Sequence, residues 1–116
     1  MNRFQATVRF AIHAGKSEEF KRIAQEVIRL TREKDTGTVR LDVFINEDGS
    51  EAVFFEEFVS PEARLEHLAN IGENVAALLA IGDMRAEVWT HADPALRASV
   101  DGFDVTFYTP LLHLAD

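Results

Sequence analysis

The stretch from Val53 to Leu68 constrains the fold of this 116-residue chain most, because an apolar strand passes there directly into a capped helix. The first half reads VFFEEFV and is apolar on both faces, which is typical of a buried strand. The second half begins with Ser60, a favoured N-cap type, and with Pro61, which suits the first helical position. The sequence therefore predicts that a strand ends and a helix begins at Ser60.

Two carboxylates interrupt the predicted strand at neighbouring positions, so the side chains of Glu56 and Glu57 point to opposite faces of the sheet. Glu56 shares its face with Phe54 and Phe58. An ionised carboxylate on such a face is costly unless it is paired, so we expect a hydrogen bond or a raised pKa at the inward-facing glutamate. A structural glutamate bonded to backbone amides or to an arginine is one interpretation, and a functional acid is the other.

His67 lies on the predicted helix, one short connection away from Glu56. Histidine takes up and releases protons readily near neutral pH, so His67 is the candidate for a general acid or base. Strand and helix then allow both side chains to meet in one pocket. The alternative interpretation is a histidine that only packs on the helix surface, as most lone helix histidines do.

Composition excludes several classes of function. A chain of 116 residues has room for one domain, and no apolar run reaches the ~20 residues of a membrane span. The chain has no cysteine, so disulfides and thiolate metal sites are excluded, and its scattered histidines lack metal-ligand spacing. A net charge of −8 repels phosphate backbones. We expect a cytoplasmic protein with neither nucleic-acid nor membrane partners and no metal.

Hydrophobic periodicity predicts the order strand, helix, strand, strand, helix, strand. This is the split β-α-β-β-α-β order of the α+β ferredoxin-like fold, with an antiparallel sheet. One domain of residues 1–116 is expected, with its core at 3–92 and a C-terminal extension at 93–116. Strands are predicted at 3–13, 38–46, 51–59, 84–91 and 103–108, and helices at 18–34 after a Ser17 cap, at 61–71, at 73–81 and at 95–100.

The sheet face that the helices leave uncovered needs a partner. Strands three and four are interpreted as apolar on both faces, which a half-covered sheet does not favour. Phe44, Trp89 and one of Phe54 and Phe55 are available for this contact. We therefore expect a homodimer with the two sheets packed face to face. Trp89 and Tyr108 are expected in core or dimer packing.

With this order of elements in place, the central stretch resembles the antibiotic biosynthesis monooxygenase (ABM) family of dimeric α+β barrels. The resemblance covers about residues 4–90 and is weaker at 105–110, a segment similar to the ending of some longer quinol monooxygenases. The matching pattern is an apolar residue, Glu, an aromatic residue, Ser-Pro-Glu-Ala and a downstream His. It comprises Phe54, Glu56, Phe58, Ser60, Pro61, Glu62, Ala63 and His67.

The resemblance implies a cofactor-independent monooxygenase that acts on a small aromatic such as a quinol, phenol or anthrone, with no bound metal or flavin. Deprotonation of such a substrate gives an anion reducing enough to pass an electron to O₂, so the protein supplies a base and a dry pocket. His67 is then the base, and Glu56 orients or polarises it. The expected substrate-binding residues are Phe10, Phe54, Phe58 and Phe107.

The sequence departs from the family's usual pattern in two ways. Phe58 stands where many members carry Trp or Tyr, so a hydrogen-bonding aromatic is missing there. Relatives that degrade haem need a histidine on the next helical segment, and residues 70–84 contain none. Two alternatives stay open beside the monooxygenase: a non-catalytic small-molecule-binding or stress-associated dimeric barrel, and an isomerase on the same fold that uses the same His and Glu.

Overall fold

The elements follow the predicted order in a computed structural model that describes residues 3–90 and 93–114. In these ranges no helix is both long and apolar enough to cross a membrane. The elements are β1 (Phe4–Ile12), α1 (Ser17–Lys34), β2 (Thr38–Ile45), β3 (Glu51–Phe58), α2 (Pro61–Ile71), α3 (Asn74–Leu79), β4 (Gly82–Val88), α4 (Pro94–Ser99) and β5 (Val105–Phe107).

The strands form one sheet in the order β2-β3-β1-β4-β5. The first four are antiparallel to their neighbours, whereas β5 runs parallel to β4. Ala6 of β1 lies opposite Glu56 on one side and Val88 on the other, so Glu56 belongs to the middle of the sheet. The predicted ferredoxin-like α+β fold is confirmed, and its extension adds an edge strand.

The helices cover one face of the sheet, and alternation along the strands decides which side chains they bury. Phe10 and Phe54 pack there with Phe20 of α1, and the rings of Phe10 and Phe20 stack with centroids 5.3 Å apart. Phe4 and Phe58 form a second cluster below α2 and α4, with ring centroids 6.0 Å apart. Each such buried ring contributes about 1.5–3 kcal/mol through the hydrophobic effect.

The start of α2 is set by its capping residues, as the sequence predicts. The Ser60 hydroxyl accepts a hydrogen bond from the Ala63 N–H at 3.1 Å, and Pro61 takes the first helical position. Gly37 lets this end of the helix approach closely, because a Cβ at that position would lie 2.5 Å from the Ala63 Cβ. The cap and the close approach together fix the face of α2 that buries His67.

The structure corrects three predicted boundaries of helices and strands. Ser17 is the first helical residue of α1 and does not cap it, since Lys16 occupies the N-cap without a side-chain hydrogen bond. β4 begins at Gly82 because that residue still pairs with Ile12 across the ladder. β4 ends at Val88, earlier than the predicted end at His91, a residue that itself lies outside the described ranges.

The sheet face opposite the helices, called the outer face, carries Phe55 and Glu57 of β3 together with Arg85 and Glu87 of β4. The prediction that β4 is apolar on both faces is therefore wrong, because its outward positions are charged. β3 does present an aromatic side chain here. Phe55 is 38% exposed and meets Phe44, which is 53% exposed, edge to face with centroids 5.7 Å apart.

Trp89 and Tyr108 stack on each other beyond the ends of β4 and β5. Their ring centroids are 4.6 Å apart, and the rings are nearly parallel. The Trp89 indole N–H donates to the Thr7 hydroxyl at 3.2 Å, and both rings remain about two-fifths exposed. Neither ring therefore belongs to the buried core.

Candidate functional site

A cavity of about 350 Å³, partly open to solvent, is lined by β1, β3, β4, the first three helices and the segment after α4. This volume is in the range of small-molecule sites. Most lining side chains are apolar, including Val8, Phe54 and Leu68. No group of three or more metal-binding side chains occurs in the described part of the chain. The titratable lining residues are Glu56, Arg64, His67 and Asp104.

Glu56 lines this cavity from the middle of the sheet, on the helix-covered face. Its carboxyl forms no hydrogen bond and no ion pair with any described residue, so the cavity is its immediate environment. The expectation that Glu56 orients His67 by direct contact is therefore wrong, because the carboxylate that contacts this ring is Asp35. Burial raises the pKa of Glu56, and the charges of His67 and Arg64 oppose that shift without cancelling it. The Glu56 carboxyl can therefore hold a proton at a pH where an ordinary glutamate has lost it.

Glu57 points to the outer face, as alternation along β3 requires. It accepts a hydrogen bond from the Arg3 guanidinium at 2.5 Å, and this bond lowers the pKa of Glu57. The two neighbouring glutamates thus have opposite pKa shifts. The environment of each side chain, and not its residue type, makes Glu56 the candidate acid.

His67 reaches the cavity from α2 as a buried ring whose side chain is 2% exposed. Its Nδ1 lies 2.7 Å from Oδ2 of Asp35, the residue that ends α1. Asp35 also accepts hydrogen bonds from the Thr38 hydroxyl at 2.6 Å and from the Asn70 amide at 2.8 Å. An ionised carboxylate only accepts, so the hydrogen resides on Nδ1 and His67 keeps Nε2 as the acceptor.

Asp35 stays ionised although its side chain is only 1% exposed. Burial alone would raise the pKa of Asp35, but the hydrogen bonds from Thr38, Asn70 and His67 together hold it below the usual range. Asp35 directly follows the helix predicted at 18–34 and is not among the predicted site residues. The available signal was its charge, because an acidic residue at a helix C-terminus opposes the helix dipole and needs another reason to be there.

Arg64 is a further cavity residue that the sequence reasoning did not select. It precedes His67 by one helical turn on α2, and its guanidinium lies over the Phe4 ring at 5.5 Å from the centroid. Its Nη1 atom is buried and has no hydrogen-bond partner among the described residues. Burial lowers the pKa of Arg64, while Glu56 raises it. Arg64 lies three residues before His67, and residues with this spacing share one side of a helix, so the sequence did contain a signal for it.

The four aromatic residues predicted to bind substrate do not come together. Phe54 lines the cavity, but Phe10, Phe58 and Phe107 are not among its lining residues. Phe10 packs inside the core beside Phe20, and Phe107 packs against the cluster that Phe4 and Phe58 form. Phe58 is fully buried against the His67 ring, with centroids 5.3 Å apart. Phe58 therefore supports the histidine from behind.

The C-terminal extension supplies a wall of the cavity that the sequence did not predict. Val100, Phe103, Asp104 and Val105 all line it. The pairing of β5 with β4 brings this segment alongside the sheet, and the Ala86 N–H donates a hydrogen bond to the Asp104 carbonyl at 2.9 Å. The site is thus closed by a part of the chain that lies beyond the ferredoxin-like core.

Comparison with known sequences identifies one family. The profile described as Antibiotic biosynthesis monooxygenase matches residues 3–71, which include β1 to β3 and α2. No curated protein matches the chain significantly. The family match thus contains Asp35, Glu56, Arg64 and His67 but none of the extension.

Among the solved structures with the same fold, one matches the whole chain and two match about four-fifths of it. MupZ from Pseudomonas fluorescens has 19% identity and a TM-score of 0.86 and covers 100% of this chain and 96% of its own. SnoaB, a cofactor-independent oxygenase from Streptomyces nogalater, has 19% identity, a TM-score of 0.68 and coverages of 80% and 96%. Rv0793 from Mycobacterium tuberculosis has 23% identity and a TM-score of 0.68, and the match covers 80% of this chain and 98% of its own. The likeness to MupZ includes the extension.

Proposed function

Because the chain belongs to the antibiotic biosynthesis monooxygenase family, we propose that it is a cofactor-independent monooxygenase of a small aromatic such as a quinol, phenol or anthrone. The observation that carries the proposal is the buried Asp35–His67 pair at the wall of a mostly apolar cavity. A histidine held by a carboxylate in this way is a positioned base. The same description, cofactor-independent oxygenase, is that of SnoaB, which shares the fold.

In the proposed reaction, His67 Nε2 accepts the acidic proton of the substrate, and Asp35 stabilises the imidazolium that results. The substrate anion then transfers an electron to O₂, and the two radicals combine at the reacting carbon to give a peroxide. His67 returns its proton to the peroxide anion and then removes the second hydrogen of that carbon as the O–O bond breaks. Glu56 protonates the departing hydroxide, and His67 afterwards returns the proton to Glu56. For an anthrone, one oxygen atom becomes the new carbonyl, and the other leaves as water with the two hydrogens of that carbon. No external reductant is needed.

Oxygen uptake tests this proposal directly. Purified protein is mixed with a panel of menadiol-like quinols, phenols and anthrones in the presence of a chelator, and the O₂ concentration is followed. We expect saturable uptake above the buffer rate for at least one compound, with no loss on chelation, because the residues present supply a base without a metal. Buffer rates across the whole panel would contradict the proposal.

The pairing of an acid and a base supports a second candidate, an isomerase that moves a proton within its substrate. Glu56 with a raised pKa and the Asp35-held His67 line one cavity, which is the arrangement that acid–base isomerisation needs. The same panel under anaerobic conditions in D₂O separates the two candidates. Conversion or solvent deuterium uptake without O₂ favours the isomerase, whereas strict O₂ dependence favours the monooxygenase.

We also propose that the outer face is the interface of a homodimer. Its support is the group of partly exposed rings, of which Phe44 and Phe55 are in mutual contact. Light scattering at micromolar concentration is expected to give the mass of two chains. Phe55→Glu is expected to shift the mass toward one chain, because it places a charge among these rings. A wild-type monomer at that concentration would contradict the proposal.

A further inference from the structure

The Arg64 guanidinium has donors left over in the cavity. Its Nη1 is buried without a partner among the described residues, although native structures satisfy nearly all buried donors. The contact that Arg64 does make is with the face of the Phe4 ring, which uses the cation but none of its N–H groups. Nη1 itself is closed off from solvent, so the remaining guanidinium N–H groups, which also form no hydrogen bond with a described residue, are the binding groups for an acceptor that enters the cavity.

No carboxylate of the residues that the structure describes forms an ion pair with Arg64. None of the ion pairs between described residues includes it, although Glu56 lines the same cavity and interacts with its charge. The other titratable groups that face this cavity are His67 and Asp104, and the latter is exposed to solvent in the extension.

The charge balance favours an anion at this position. Arg64 keeps its positive charge at neutral pH, as guanidinium groups do in proteins. Asp35 is committed to three hydrogen bonds outside the lining, so it does not compete for Arg64. Apolar walls raise the strength of the remaining attraction because they exclude water. Arg64 therefore presents a positive charge and N–H groups to the cavity.

We infer that Arg64 binds the ionised oxygen of the ligand, so that the cavity selects molecules with one phenolate-type oxygen on an otherwise apolar ring. This deepens the proposed function and rests on it only in using the same cavity. After His67 takes the proton, the negative charge on the substrate oxygen is stabilised by the Arg64 guanidinium. Arg64 thus favours the anion that the first step produces, and it is a specificity residue for ionisable aromatics.

Binding of 4-nitrophenol tests the inference without turnover, because its ionised form absorbs at a longer wavelength than its neutral form. We expect wild-type protein to bind the ionised form preferentially, which lowers the apparent pKa of the bound phenol. Arg64→Gln is expected to weaken binding of the ionised form by ~10- to 100-fold, the range implied by a hydrogen bond to a charged group. 4-Nitroanisole, which cannot ionise, is expected to bind both proteins equally.

Two further variants keep the result interpretable. Arg64→Lys retains the charge and is expected to keep part of the preference, so it carries the test if Arg64→Gln does not fold. Arg22→Gln removes an equal charge from the exposed surface of α1 and is expected to change nothing. Equal affinity of wild-type protein for both forms of the phenol would overturn the inference, and so would an unchanged preference in a folded Arg64→Gln.

The outcome is separable from that of the oxygenase proposal. A preference for the ionised phenol that depends on Arg64 supports the binding role even when no compound in the panel consumes O₂. Oxygen uptake that persists unchanged in Arg64→Gln overturns the binding role and leaves the monooxygenase intact.

Discussion

Replacing His67 by glutamine is expected to lower the oxygenation rate by ~10²- to 10⁴-fold, the usual contribution of a positioned general base. Glutamine retains a hydrogen-bonding side chain of similar length but cannot take up the substrate proton. The loss is expected mainly in kcat, since the cavity walls that bind the ring are unchanged. Steady-state O₂ uptake with the best substrate of the panel measures the effect.

His13→Gln is the matched control for this variant. His13 lies after β1 with its side chain 49% exposed, and its partner is the exposed Asp83, so the same substitution there removes no cavity group. Wild-type activity is expected in the control. Oxidation at the wild-type rate in a folded His67→Gln would contradict the assignment of the base. Thermal unfolding of each variant separates a loss of chemistry from a loss of fold.

Replacing Asp35 by alanine is expected to cost about 3–5 kcal/mol of unfolding free energy, because each buried donor left without an acceptor costs about 1–3 kcal/mol. The change leaves the donors of Thr38, Asn70 and His67 without their acceptor, and the structure provides no substitute. Urea unfolding of both proteins measures the difference at constant m. Asp42→Ala serves as the control, because Asp42 pairs with Arg40 near the surface.

The pH dependence of stability gives the same residue a second test. The pKa of Asp35 is lower in the folded state than in the unfolded state, so its stabilisation is complete above the unfolded pKa and is lost as the pH falls through the folded pKa. Glu56 acts in the opposite direction, since its raised pKa makes stability fall as the pH rises above the ordinary glutamate range. Asp35→Asn is expected to flatten the acid limb. An unchanged acid limb would contradict the role of the buried pair.

Local patterns decide the elements because they report on the chain's own periodicity and caps. Ser60 and Pro61 define the start of α2 whatever the helix packs against. Alternation along β3 places Glu56 and Glu57 on opposite faces whatever strands pair with it. A prediction fails where the outcome depends on contacts with other parts of the fold. Ser17 has the residue type of a cap yet lies inside α1, and the outward positions of β4 are charged although the sheet face was expected to be apolar.

The candidate site shows the same division. His67 and Glu56 are visible in the sequence because a titratable residue in an apolar stretch is conspicuous by itself. Phe10, Phe58 and Phe107 were equally conspicuous, but an aromatic ring looks the same in a sequence whether it fills a core or lines a cavity. The structure places only Phe54 of the four in the lining.

The sequence by itself determined the order of the elements, the face of each strand and two of the four titratable cavity residues. Only the tertiary structure decided that Asp35, 32 positions before His67, holds its ring, that Arg64 lacks a partner and that the extension closes the cavity. The physical reason is range. Propensity and periodicity act over a few residues, whereas hydrogen-bond partners and cavity walls come from segments far apart in the chain that packing brings together.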